Sequence, residues 1–114
     1  MPIESTYILI ASMDVEASKE DLFNEVYDEH VEHILKVPGV RHVTRMKGEP
    51  FTFTVNGKTE QKPAPDPVYT AIYEIDDPSI LSGAAWTEAV EQGRWPAEVR
   101  PHTRNRSHFV YRVR

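Results

Sequence analysis

The stretch "TYILIAS" (Thr6–Ser12) is almost wholly apolar and rich in strand-forming residues. Seven residues are too few for a core helix and fit a strand with apolar side chains on both faces. A second stretch, "VYTAIYEI" (Val68–Ile75), has the same character, with Tyr69, Ala71 and Tyr73 alternating against Val68 and Ile72. Between and after these two strands the chain supplies the remaining elements of one domain. Phe23, Val26, Tyr27, His30, Ile34 and Val37 recur at steps of three and four, one apolar helical stripe, while Glu25, Asp28, Glu29, Glu32 and Lys36 lie off it. Ser18 with an acid three residues on resembles a capping box at the start of that helix. Pro38-Gly39 ends it, because proline cannot continue a helix and glycine turns the chain without steric cost.

The segment "VRHVTRMK" (Val40–Lys47) alternates as a further strand, and "RNRSHFVYRV" (Arg104–Val113) as the last. Residues 48–67 read as an inserted hairpin, with two short polar-alternating strands around Asn56-Gly57 and a stiff Pro-rich return. Asp77-Pro78 opens a second helix, which Ser82-Gly83 interrupts and which resumes through Trp86. The order β-α-β-(hairpin)-β-α-β over residues 1–114 is the ferredoxin-like split βαβ pattern of the α+β class. It predicts a four-stranded antiparallel sheet with both helices on one face. Two helices cover one face only, so the strands' second apolar face calls for a partner, and a second copy of the sheet is the simplest one.

Composition excludes several classes of function. The chain has no cysteine, which removes disulfides, thiolate nucleophiles and zinc–thiolate sites. Its net charge is −5 without a clustered cationic face, so nucleic acid is not an expected partner. No apolar run approaches the ~20 residues of a membrane span. The opening "MPIESTYILIAS" lacks the basic region of a secretory leader, so the expected location is cytoplasmic. No Gly-x-Ser-x-Gly elbow or phosphate-cradling glycine loop is present.

The segments "FNEVYD", His30, "KVPGV" and "GRWPAEVRPHTRNR" resemble the dimeric α/β-barrel superfamily, specifically its small EthD-like proteins, whose first helix carries a stretch close to FNxWYDxxH…VPG. Val26 stands where that family often has Trp, and Tyr27 and His30 are three rather than four apart. The resemblance implies a homodimer and a ligand cavity between the first helix and the sheet. Members include cofactor-free monooxygenases, polyketide cyclases, aldoxime dehydratases and haem proteins.

His30, central in the apolar stripe, is the candidate catalytic group, read either as a buried core histidine or as a proton acceptor on an apolar pocket wall. Tyr27 is its candidate supporting hydroxyl, and Phe23, Ile34, Tyr73 and Trp86 are candidate ligand-binding residues. His33, at the stripe's edge, reads as a surface residue. The His30/His33 spacing lacks the further ligands a metal site needs, so no metal and no cofactor is expected. On the last strand, Asn105, Ser107, Phe109 and Tyr111 are expected to face the helices. Arg106 and His108 would then face the dimer side, with Arg106 available to pair with Glu74. The leading functional expectation is a cofactor-free enzyme of monooxygenase, cyclase or degradative type acting on an aromatic or hydrophobic compound. Non-catalytic binding, and more remotely haem binding through His30, are the alternatives.

Overall fold

The computed structural model describes residues 3–114; Met1 and Pro2, which open the segment read as lacking a leader, lie outside the described residues. The elements are β1 (Tyr7–Val15), α1 (Glu20–Ile34), β2 (Val40–Lys47), β3 (Phe51–Val55), β4 (Lys58–Lys62), β5 (Tyr69–Ile75), α2 (Ala84–Ala89) and β6 (Thr103–Arg112). Four strands form one antiparallel sheet in the order β2-β5-β1-β6, the ferredoxin-like arrangement that the element order predicts. The two strands with apolar residues on both faces, β1 and β5, are the central pair.

Helix α1 lays its stripe on the sheet. Phe23, Val26, Tyr27, His30 and Ile34 are all buried, against Leu9, Ala11 and Met13 of β1 and Tyr69, Ala71 and Tyr73 of β5. Its start differs from the capping-box expectation. A 3₁₀ turn, Ala17–Lys19, runs directly into the helix, and Ser18 lies within that turn with no side-chain cap. The Lys19 amide already donates to Glu16 C=O (2.8 Å), so part of the capping task falls to the backbone. The helix exit follows expectation. Gly39 has φ +94°, and a Cβ there would lie 2.3 Å from Ile80 Cδ1, so only glycine lets α1 turn into β2 against the α2 region.

Asp77 accepts a hydrogen bond from the Ser79 amide (2.9 Å) and Pro78 follows it, opening a 3₁₀ turn, Pro78–Ser82, before Gly83 breaks the chain into the short α2. A π-helical turn, Trp95–Val99, then buries Trp95 and Val99 beneath α1 and leads into β6. Arg94 fixes this turn by donating to Glu25 (2.8 Å) and Glu29 (3.1 Å) on α1.

The far face of the sheet carries Ile8, Ile10, Thr44, Ile72, Phe109 and Tyr111, with Phe109 58 % and Tyr111 54 % exposed. This reverses the expected phase of the last strand. The register Ala11↔His108 and Ile10↔Phe109 puts His108 and Arg106 on the helix side and Phe109 and Tyr111 on the open side. Glu74 pairs in register with Ile8 on the open face, where it accepts from Ser5 Oγ (3.3 Å) rather than meeting Arg106.

Strands β3 and β4 form a separate two-stranded ribbon, exposed along nearly its whole length, with Asn56 (φ +53°) and Gly57 (φ +75°) at its tip. Among the described residues no helix is long and apolar enough to cross a membrane. Because the ribbon contributes nothing to the four-stranded sheet, replacing residues 50–63 by a short turn should leave that sheet folded. A cooperative thermal transition retained by the shortened chain is the expected result, measured by near-ultraviolet circular dichroism.

Candidate functional site

Between α1, the α2–π-turn segment and the sheet lies a cavity of about 410 Å³. Its floor is the helix-facing side of β1, Leu9, Ala11 and Met13. Helix α1 contributes Tyr27 and His30, β5 contributes Tyr73, and the segment after α2 contributes Val90, Trp95 and Arg100. Trp86 closes one side, and the edge strand β6 brings Arg106 and His108 to the rim.

His30 is 6 % exposed and stacks on Trp95, with ring centroids 4.8 Å apart and planes at 21°. Tyr27 meets the same imidazole edge-on at 5.7 Å. Nδ1 of His30 has neither solvent nor a hydrogen-bond partner, an omission that costs on the order of 1–3 kcal/mol. Nε2 is not sealed in this way and is the nitrogen left for the cavity. Burial holds the imidazole at about 4, well below its ordinary 6.5, with the positive charge of Arg100 and the proximity of His33 adding to the effect. At neutral pH His30 is therefore an uncharged ring able to accept or donate a proton through Nε2.

The hydroxyls of Tyr27 and Tyr73 share a buried hydrogen bond of 2.6 Å. Burial raises both phenols above their ordinary value, Tyr73 more strongly because Tyr27 lies beside it. Only one of the two protons is used in the shared bond, which leaves the other hydroxyl hydrogen free for a ligand. The Arg45 guanidinium lies 4.5 Å from the Tyr27 ring centroid on the side away from the cavity, and donates to Asp28 (2.9 Å) and Asn24 (2.8 Å). It braces the ring from behind. Trp86 meets Tyr73 edge-on at 5.8 Å.

The structure thus brings together Tyr27, His30, Tyr73 and Trp86. Phe23 and Ile34 are fully buried and do not line this cavity; Phe23 packs behind Tyr27, and Ile34 lies in the core one turn beyond His30. His33 lines a separate open groove with Lys36, Glu88 and Gln92. Sequence reasoning missed Arg106 and His108, because it assigned the aromatic side of β6 to the core. Trp95 is both core and lining. Among the described residues no group of three or more His, Asp or Glu side chains is placed to hold a metal ion.

The depressed His30 value fixes a pH dependence. The unfolded chain binds a proton near 6.5 that the folded chain refuses until about 4, so stability is full above 6.5 and falls as the pH drops through that window. That interval corresponds to roughly 3 kcal/mol. Urea titrations at pH 7 and pH 4.5 should show wild type losing at least about 1 kcal/mol more than His30→Leu. The comparison cancels the parallel contribution of His108, which burial and Arg106 also depress.

No family model and no curated protein matches the chain. Solved structures do. A variant of MhuD with two manganese protoporphyrin IX molecules bound per active site superposes with a TM-score of 0.60 at 13 % identity, covering 94 % of this chain and 93 % of that one. The heme-degrader MhuD of Mycobacterium tuberculosis, with two hemes bound, gives 0.58 at 12 % identity and 94 % of each chain. A variant of SnoaB, a cofactor-independent oxygenase from Streptomyces nogalater, gives 0.57 at 14 % identity, covering 96 % and 94 %. At such identities the likeness is one of fold alone, and that fold is the ferredoxin-like one.

Proposed function

We propose that the protein is a homodimeric, cofactor-free enzyme that binds an aromatic or hydrophobic small molecule in this cavity and removes a proton from it. The observation that carries the reading is His30: an uncharged imidazole, short of one hydrogen bond, on the wall of a cavity faced by two tryptophans and two tyrosines. A group that pays for burial without pairing gives up stability for something else, and proton transfer at an apolar wall is the role its chemistry suits. Oxygenation without a cofactor and intramolecular cyclisation both begin with loss of a proton from an activated C–H, and this is the step the site supports. His30 Nε2 takes the proton. The free hydroxyl hydrogen of the Tyr27–Tyr73 pair donates to the oxygen on which charge develops. An imidazolium formed beside that oxyanion is stabilised by it, which offsets the low proton affinity of the empty site. The cofactor-independent oxygenase SnoaB, which shares the fold, supports the reaction class.

The MhuD structures, one with two hemes and one with two manganese protoporphyrin IX molecules bound, favour a second reading, in which His30 would be the residue that holds a haem through Nε2. Titration with haemin separates the two. A Soret band that shifts for wild type and not for His30→Leu would select haem binding.

Anthrone, a flat tricycle with an acidic methylene, is a suitable probe of the first reading. Oxygen consumption and anthraquinone formation should fall by about 100-fold or more in His30→Leu. His33→Leu should stay within twofold of wild type. Equal turnover by wild type and His30→Leu would remove His30 from the chemistry, and saturable binding without turnover would select a non-catalytic binding protein.

The open sheet face is the surface on which the homodimer rests in this reading, since Phe109 and Tyr111 extend an apolar patch already begun by Ile10 and Ile72. Light scattering at micromolar concentration should give about twice the 13.1 kDa chain mass. Phe109→Asp should halve it.

A further inference from the structure

The cavity is charged in one sense only. The chain carries 18 acidic residues against 13 lysines and arginines, yet no aspartate or glutamate lines this space, while Arg100, Arg106, His30 and His108 do. These four are not equivalent. Arg100 is already paired, donating to both carboxylate oxygens of Glu91 (3.1 and 2.8 Å) and to Val90 C=O (2.9 Å). The two histidines are uncharged at neutral pH, since burial and neighbouring arginines depress both. Arg106 remains. Among the described residues its guanidinium has no ion pair and no hydrogen-bond partner, although every other arginine that faces the helix layer has at least one carboxylate or aromatic ring against it. Its charge nevertheless reaches the interior, where it favours the ionised forms of Tyr27 and Tyr73.

We infer that the cavity selects aromatic carboxylates, with Arg106 as the residue that recognises the carboxylate. The inference rests on reading the cavity as a small-molecule site and adds the class of molecule. An unpaired guanidinium at the mouth of an apolar cavity is the group best shaped to take a carboxylate through two parallel N–H···O bonds. The ring system of the same molecule then lies over Trp95 and Trp86, inside walls that offer no competing negative charge. His108, two residues along β6 on the same side of the strand, adds an N–H donor beside the guanidinium. Net charge makes the selection sharper, because a protein at −5 repels anions everywhere except where a local cation is left uncompensated.

The test uses two probes with one ring system, 2-naphthoate and 2-naphthamide, titrated into the 114-residue protein by calorimetry, with quenching of Trp86 and Trp95 emission locating them. Wild type should bind naphthoate at least about tenfold more tightly than naphthamide at low salt. Arg106→Met should bring the two within twofold by weakening naphthoate alone, and Arg106→Lys should keep part of the preference. Arg106 is exposed on an edge strand, so these variants retain the fold. Equal binding of the two probes by wild type, or a preference that survives Arg106→Met, overturns the inference and leaves the cavity reading intact. Binding of neither probe overturns both. A carboxylate preference in a protein that never turns over anthrone upholds this inference while the catalytic reading fails.

Discussion

The seating of α1 on the central strands β1 and β5 is the contact on which the rest depends. One stripe of that helix, Phe23, Val26, Tyr27, His30 and Ile34, supplies much of the core on the helix side and also two residues, Tyr27 and His30, that line the cavity. Phe23 and Ile34 hold the helix at a fixed height and rotation, and Tyr27 and His30 inherit that precision because they sit between them on the same stripe. Trp95 extends the arrangement, stacking on His30 from one side and meeting Tyr27 at 4.9 Å from the other. Arg94, tied to Glu25 and Glu29, keeps the π-turn that carries Trp95 against the helix. Core and site are built from the same side chains, which is why the helix tolerates a buried imidazole lacking one hydrogen bond.

What the sequence made legible follows from period and punctuation. The steps of three and four through residues 23–37, the Pro38-Gly39 stop, Asn56-Gly57 and Asp77-Pro78 each identified an element that the structure contains. Each is a local signal, set by backbone sterics or by one turn of helix. The strand order then follows from topology, and the likeness of fold to the solved structures rests on the same elements.

The errors lie where a local signal has two equal solutions. Strand β6 alternates cleanly, but alternation says only that two faces differ and not which one meets the helices. Its apolar set, Phe109 and Tyr111, was assigned to the core because cores are apolar; here the sheet has two apolar faces, and those residues belong to the outer one. The choice of face is fixed by the pairing Ala11↔His108, a contact between residues far apart in the chain that no window of sequence contains. The same inversion hid Arg106 and His108. A signal was available in hindsight: Asn105, whose φ of +54° suits asparagine, marks a kink at the start of β6 where the register across β1 shifts. Ser18 failed for a different reason, since the 3₁₀ turn before α1 competes with a side-chain cap for the same amides.

The cavity's two sides differ in what they can withstand. His30 and Tyr27 stand on the buried stripe of α1, packed with Phe23 and Trp95, so a substitution there disturbs the core as well as the cavity wall. Arg106 and His108 stand on an edge strand, exposed and free of other duties. Divergence among descendants of such a protein would therefore be expected to run along β6, changing the rim of the cavity while the wall built by α1 stays as it is. A single fold could in this way be passed between pathways by changes at two surface positions.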